Sequence, residues 1–247
     1  MEHFIEGVHN YCDRWCERCV FTDRCRVFYM EEKDRKISAH DPKWETSLEP
    51  ITKTLEEAKI MLEKMANEKG IDLAETDQEF EKERADKKSR VENHPLMKKS
   101  MDYLELSGEW LEKGQVKDNT DKIFQEVNLG IKSMQEGERE ILLLRDSLEV
   151  IRWYQPLIAA KCHRALLGKE DEYNKHFAEE ERDYNGSAKI ARIAIERSMR
   201  AWASLLGFFE EEESAIFRIL ASLQQAQQVL ERAFPNMDHF IRPGFDE

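Results

Sequence analysis

The sequence predicts an all-α fold: a long-helix bundle of about five main helices with a small N-terminal four-cysteine module. Three observations lead there. Glycine and proline number only 10 and 6 in 247 residues, too few for the dense turns of an all-β fold. Charged residues make up 36% and hydrophobic ones 40%, a mixture that suits amphipathic helices with solvated outer faces better than strands buried on both sides. Finally, apolar residues recur with three-and-four spacing over long stretches. The length divides naturally into a module at 1–40 and a helical bundle at 41–247.

Taken in order, residues 1–40 hold four of the five cysteines together with Trp15, Phe21, Phe28 and Tyr29. The charge run Glu31 to Lys36 and the pair Asp41-Pro42 read as a connection, since a residue before proline is pushed out of the helical region. From Ser47, a suitable N-cap, the stripe Leu48, Ile51, Leu55, Ala58, Leu62 and Met65 marks the first long helix, ending at Gly70. Residues 72–94 offer few apolar positions and read as a solvated helix or linker, the most mobile interior segment. Pro95 fits the first turn of the next helix, with the stripe Met97, Met101, Leu104, Gly108 and Leu111.

The third and longest helix is expected from about Asp118 or Thr120 to Gly168, with Pro156 kinking or dividing it. After a polar link containing Asn185-Gly186, a fourth helix carries Ile190, Ala194, Ile195, Trp202, Leu205 and Phe209. Gly207 and the acidic run Glu210 to Glu213 mark a break, the carboxylates being suited to a helix start. The fifth stripe is Ile216, Leu220, Leu223, Gln227, Leu230 and Phe234, stopped by Pro235, and the aromatic-flecked tail is expected to dock on the bundle.

Charge and targeting narrow the function. The net charge of −13 repels phosphate backbones and acidic membrane surfaces, so nucleic acid is not an expected partner. No run approaches the roughly 18 apolar residues of a membrane span, and the first residues, Met1 to Glu6, lack the basic and apolar regions of a secretory leader. The expected setting is cytoplasmic and the expected partner another protein. Thiols stay reduced in that compartment, so clustered cysteines read first as metal ligands.

The chemistry sits in Cys12-x3-Cys16-x2-Cys19-x5-Cys25. Four soft ligands complete a closed zinc site or hold an iron–sulfur cluster. A continuous helix would put Cys12 and Cys19 roughly 10 Å apart at about 1.5 Å per residue, too far for one zinc, so zinc requires the helix to break. The two-residue gap of Cys16-Glu-Arg-Cys19 is that of a zinc knuckle, and zinc is favoured over an iron–sulfur cluster. Arg14, Arg18, Arg24 and Arg26 are interleaved where they offset the roughly −2 charge of four thiolates on one zinc. Cys162, on an apolar stripe, reads as a core thiol.

The trio Cys12-x3-Cys16-x2-Cys19 also resembles the cluster motif of the radical S-adenosylmethionine enzymes, over eight residues. Those enzymes have an aromatic residue before the last cysteine, where this chain has Arg18, and set the motif in a partial α/β barrel that this helical pattern does not provide. A second constellation, Glu149, Tyr154 and Lys161 facing Asp183 and Lys189 across antiparallel helices, could line a polar pocket. The leading expectation is a zinc-stabilised helical interaction or adaptor protein without catalysis. The alternative is an iron–sulfur redox or radical-type enzyme using that pocket.

Overall fold

The computed structural model describes residues 4–38, 49–69, 73–113 and 116–246. Among these are eight α-helices and no strand, so the all-α class holds while the helices outnumber the five expected. They are α1 (Arg26–Ser38), α2 (Glu49–Lys69), α3 (Leu73–Asn93), α4 (Pro95–Glu112), α5 (Val116–Asn128), α6 (Met134–Lys169), α7 (Asp183–Leu205) and α8 (Glu213–Ala233). The chain falls into two compact units: one of Met1–His9 with Cys16–Ser89, the other of Asn10–Trp15 with Arg90–Glu247.

In the first unit, short 3-10 turns at Cys16–Arg18 and Thr22–Arg24 lead into α1. The charge run read as a connection lies inside α1, because nothing in Glu31 to Lys36 breaks a helix. The Ile5 N–H donates to the Arg24 carbonyl at 3.0 Å, and the Phe4 and Tyr29 rings lie 5.8 Å apart. Ser47, Leu48 and Gly70 lie outside the described residues, as does the Asp41-Pro42 pair. Residues 72–94 are largely helical as α3, whose exposed face is laced by Glu83–Lys87 at 2.8 Å and Glu81–Arg84 at 3.7 Å.

In the second unit, α6 and α7 run antiparallel, since Arg164 meets Asp183 while Tyr154 meets Arg197. Helices α4 and α8 lie against this pair and against each other, and α5 against α6. The expected third helix is divided, but not at Pro156. Helix α5 ends in a paired turn in which Ile131 N–H reaches the Glu126 carbonyl at 2.9 Å and Gly130 N–H the Val127 carbonyl at 3.0 Å. Gly130 holds φ +72 there, a conformation without steric penalty only for glycine. Ser133 and Glu136 then form a reciprocal capping box that starts α6. Pro156 leaves α6 undivided. It faces solvent, where water can satisfy the carbonyl four residues back.

The core of this unit is aromatic and aliphatic. Trp110 packs edge-on against Trp202 and Phe209 at 5.0 and 4.9 Å, and the Trp202 indole donates to the Tyr103 hydroxyl at 3.3 Å. The buried face of α4 is Leu96, Ser100, Tyr103, Ser107 and Trp110, one position away from the stripe Met97 to Leu111 read from the sequence. The expected stripes of α7 and α8 are largely buried, including Ile190, Ala194, Ile195, Trp202 and Leu205 in the one and Ile216, Leu223 and Leu230 in the other. Helix α7 begins at Asp183, so Asn185-Gly186 is helical rather than linking. Gly186 is required by close approach: a Cβ there would lie 2.4 Å from the Tyr11 ring and 2.7 Å from Phe240. The tail docks as expected, with Phe234, Met237 and Phe240 buried.

Candidate functional site

The six residues Asn10–Trp15 dock on the rest of the second unit through a network of side-chain contacts. Asp13 anchors it. Its carboxylate accepts from the Tyr154 hydroxyl at 2.6 Å and pairs with the Arg197 guanidinium at 2.7 Å, while its carbonyl accepts from the Trp153 indole at 3.0 Å. The Trp15 N–H closes an Asx turn on the same carboxylate at 3.2 Å. Buried Trp15 stacks on Trp153 at 5.1 Å and meets Tyr154 edge-on at 5.7 Å. At the other end, the Tyr11 hydroxyl donates to Asp183 at 2.9 Å, which also pairs with Arg164 at 3.0 Å. Burial first, and then the neighbouring carboxylates, raise the pKa of both tyrosines, Tyr154 to about 12.

These contacts show where the residues of the expected polar pocket lie. Tyr154 is buried under Asp13 and Arg197, and Asp183 is shared by Tyr11 and Arg164. Lys161 is half-buried, and burial followed by the charge of Arg164 lowers its pKa. Lys189 is engaged with the tail, donating to the Phe240 carbonyl at 2.7 Å and to Asp246 at 2.8 Å. Burial would raise the Asp246 carboxyl, but hydrogen bonds from Arg242 and Lys189 outweigh it and hold it below the usual carboxylate range. Glu149 lies on the exposed face of α6. A cleft of about 400 Å³ elsewhere, between α4 and α8, is lined by Lys99, Asp102, Leu106, Arg218, Ser222 and Gln225.

The sequence singled out Tyr154 and Asp183 as members of a polar constellation between antiparallel helices. It gave no sign that Tyr11, Asp13 and Trp15 dock there. The available signal was the two aromatic residues on either side of Cys12, Tyr11 and Trp15, because an exposed tyrosine or tryptophan gains most by finding a partly polar groove.

Cys12 belongs to this docked segment, whereas Cys16, Cys19 and Cys25 belong to the first unit. All four are half-buried and outside any disulfide. The segment is not a continuous helix: Cys16–Arg18 is a 3-10 turn, and Arg14 takes the left-handed conformation at φ 59. Two sulfurs accept from the backbone N–H two residues on, Cys19 from Phe21 at 3.4 Å and Cys12 from Arg14. Burial raises the Cys12 pKa, and the Arg14 N–H opposes that rise. Arg14, Arg18, Arg24 and Arg26 are exposed. Among the described residues, no three His, Cys, Asp or Glu side chains converge as a metal-binding group. Cys162 is fully buried in the second unit, and burial pushes its thiol up to about 12.

No family model, no curated protein and no solved structure matches this chain. Among the described residues no helix is long and apolar enough to cross a membrane.

Proposed function

We propose that the chain is a helical interaction protein whose cysteine segment is held by one metal ion, with zinc favoured, on Cys12, Cys16, Cys19 and Cys25. It carries out no catalytic step, and its partner is another protein. The observation that carries the reading is the pair of N–H to sulfur hydrogen bonds, Phe21 to Cys19 and Arg14 to Cys12. Such donors fix the direction of a sulfur lone pair, and at Cys12 the Arg14 N–H opposes the rise that burial imposes. The 3-10 turn at Cys16–Arg18 supports zinc in particular, because it removes the continuous helix that would keep the thiols apart. Binding would draw the thiolates together, so that binding energy becomes folding energy for the segment. The four exposed arginines supply positive charge beside a centre of about −2, and four protein ligands leave no open position for substrate.

The test is metal content of the full chain, prepared once with zinc and once anaerobically with iron and sulfide. One zinc per chain is expected, with no visible absorption. Each of Cys12→Ser, Cys16→Ser, Cys19→Ser and Cys25→Ser should lower metal content, while Cys162→Ser leaves it unchanged. A metal-free chain from both preparations, with all four thiols titratable, would falsify the reading. A brown iron-loaded protein would replace it with the iron–sulfur alternative.

A further inference from the structure

We propose that α2 is a self-association element through which two copies of this chain pair, antiparallel, along the seam Leu55, Ala58, Leu62 and Met65. In the sequence, positions 48, 51, 55, 58, 62 and 65 are Leu, Ile, Leu, Ala, Leu and Met. Their separations alternate three and four, the heptad spacing of the two core positions of a coiled coil. A seam that repeats every 3.5 residues drifts around a straight helix and stays continuous only when wound on a second helix. This one is open to solvent: Leu55, Leu62 and Met65 are 65, 63 and 42% exposed, and the flanking Met61 is 65% exposed.

The occupant follows from pattern and charge. A seam of this kind is complemented by a helix carrying the same repeat. Helix α1 has its apolar residues bunched at Val27 to Met30, and α3 has them scattered at Leu73, Phe80 and Val91. A second α2 supplies the repeat. Charge then sets the direction. In the first half of α2, Glu49, Glu56 and Glu57 against Lys53 leave a net negative charge. In the second half, Lys59, Lys64 and Lys69 against Glu63 and Glu68 leave a net positive one. Antiparallel pairing sets each half against its opposite and opposes the helix dipoles, whereas parallel pairing sets like against like. No cysteine lies in α2, so this inference stands apart from the metal reading and its test can fail independently.

The test is sedimentation of the full chain over about 1–100 μM, where a concentration-dependent monomer–dimer equilibrium is expected. Leu55→Glu with Leu62→Glu should leave a monomer whose helical circular dichroism is unchanged. The milder Leu62→Ala should weaken the dimer and guards against misfolding of the double variant. Glu56→Lys with Glu57→Lys should weaken the dimer several-fold, and adding Lys59→Glu with Lys64→Glu should restore it. A wild-type chain that stays monomeric throughout, or a dimer indifferent to Leu55→Glu with Leu62→Glu, overturns the proposal. Charge reversal without weakening overturns the antiparallel arrangement.

Discussion

Asp13 shows how a single carboxylate organises a segment that has no regular structure of its own. With Tyr154, Arg197 and the Trp15 N–H all directed at it, the six-residue stretch is held in place without a helix of its own. Tyr154→Phe keeps the ring beneath Trp15 and removes only the hydroxyl, so the expected cost is about 1 kcal/mol, read as a shift in the chemical-denaturation midpoint. Ionisation of Tyr154 would act in the same direction. Its folded pKa of about 12 lies above the ordinary 10.0, so its contribution is complete below pH 10 and lost as pH rises through the folded value. Tryptophan fluorescence of Trp15 and Trp153 should therefore stay flat through the pH range in which an ordinary tyrosine ionises. A change at the ordinary value would show that the hydroxyl is solvated. Little of this was legible in the sequence, because the partners stand about 140 residues or more from Asp13 along the chain. The cysteine spacing, by contrast, is a local property that the sequence displays directly.

Helix α4 illustrates a different limit on what a sequence discloses. A hydropathy pattern selects Met97, Leu104 and Leu111, yet the face turned inward holds Ser100 and Ser107 between Leu96, Tyr103 and Trp110. The serines enter the core because each hydroxyl donates to a carbonyl of its own helix, Ser100 to Met97 at 2.9 Å and Ser107 to Tyr103 at 2.5 Å. They are also small enough to admit the neighbouring rings. Polarity misdirects where a polar atom is satisfied locally. The start of α4 was better marked by Pro95, but its cap is His94, whose ring accepts from the Leu96 N–H at 3.1 Å. Burial, with the charge of Lys169 adding to it, lowers the His94 pKa below 6.5. A lowered value means the neutral ring is favoured in the folded state. Its stabilisation is complete above 6.5 and lost as pH falls through the folded value. His94→Ala should cost about 1 kcal/mol near neutral pH and remove that dependence. Amide exchange at Leu96 as a function of pH is the measurement, and a pH-independent rate in the wild type would count against the cap.

At the scale of the whole molecule, fold class, tail docking and the boundaries around Gly207 were readable, because long stripes and helix breakers are properties of the chain itself. The division at Gly130 was missed because Gly130 sits on an apolar stripe and its left-handed turn competes with simple continuation of the helix. Hydrogen exchange should follow burial: the amides of α6 and α7 are expected to be the most protected, and those of α3 up to Ser89 to exchange fastest among the helices in dilute protein. Equal protection of the two would contradict the solvated face of α3. The docking of residues 10–15 has a further consequence in time. During synthesis this stretch leaves the ribosome first, while its partners Tyr154 and Arg197 follow 141 and 184 residues later. At typical elongation rates that is an interval on the order of ten seconds or more. Throughout it, Trp15 has no groove to enter and the neighbouring thiols stand open to solvent. A nascent chain therefore carries these side chains exposed before it has a bundle on which to fold them.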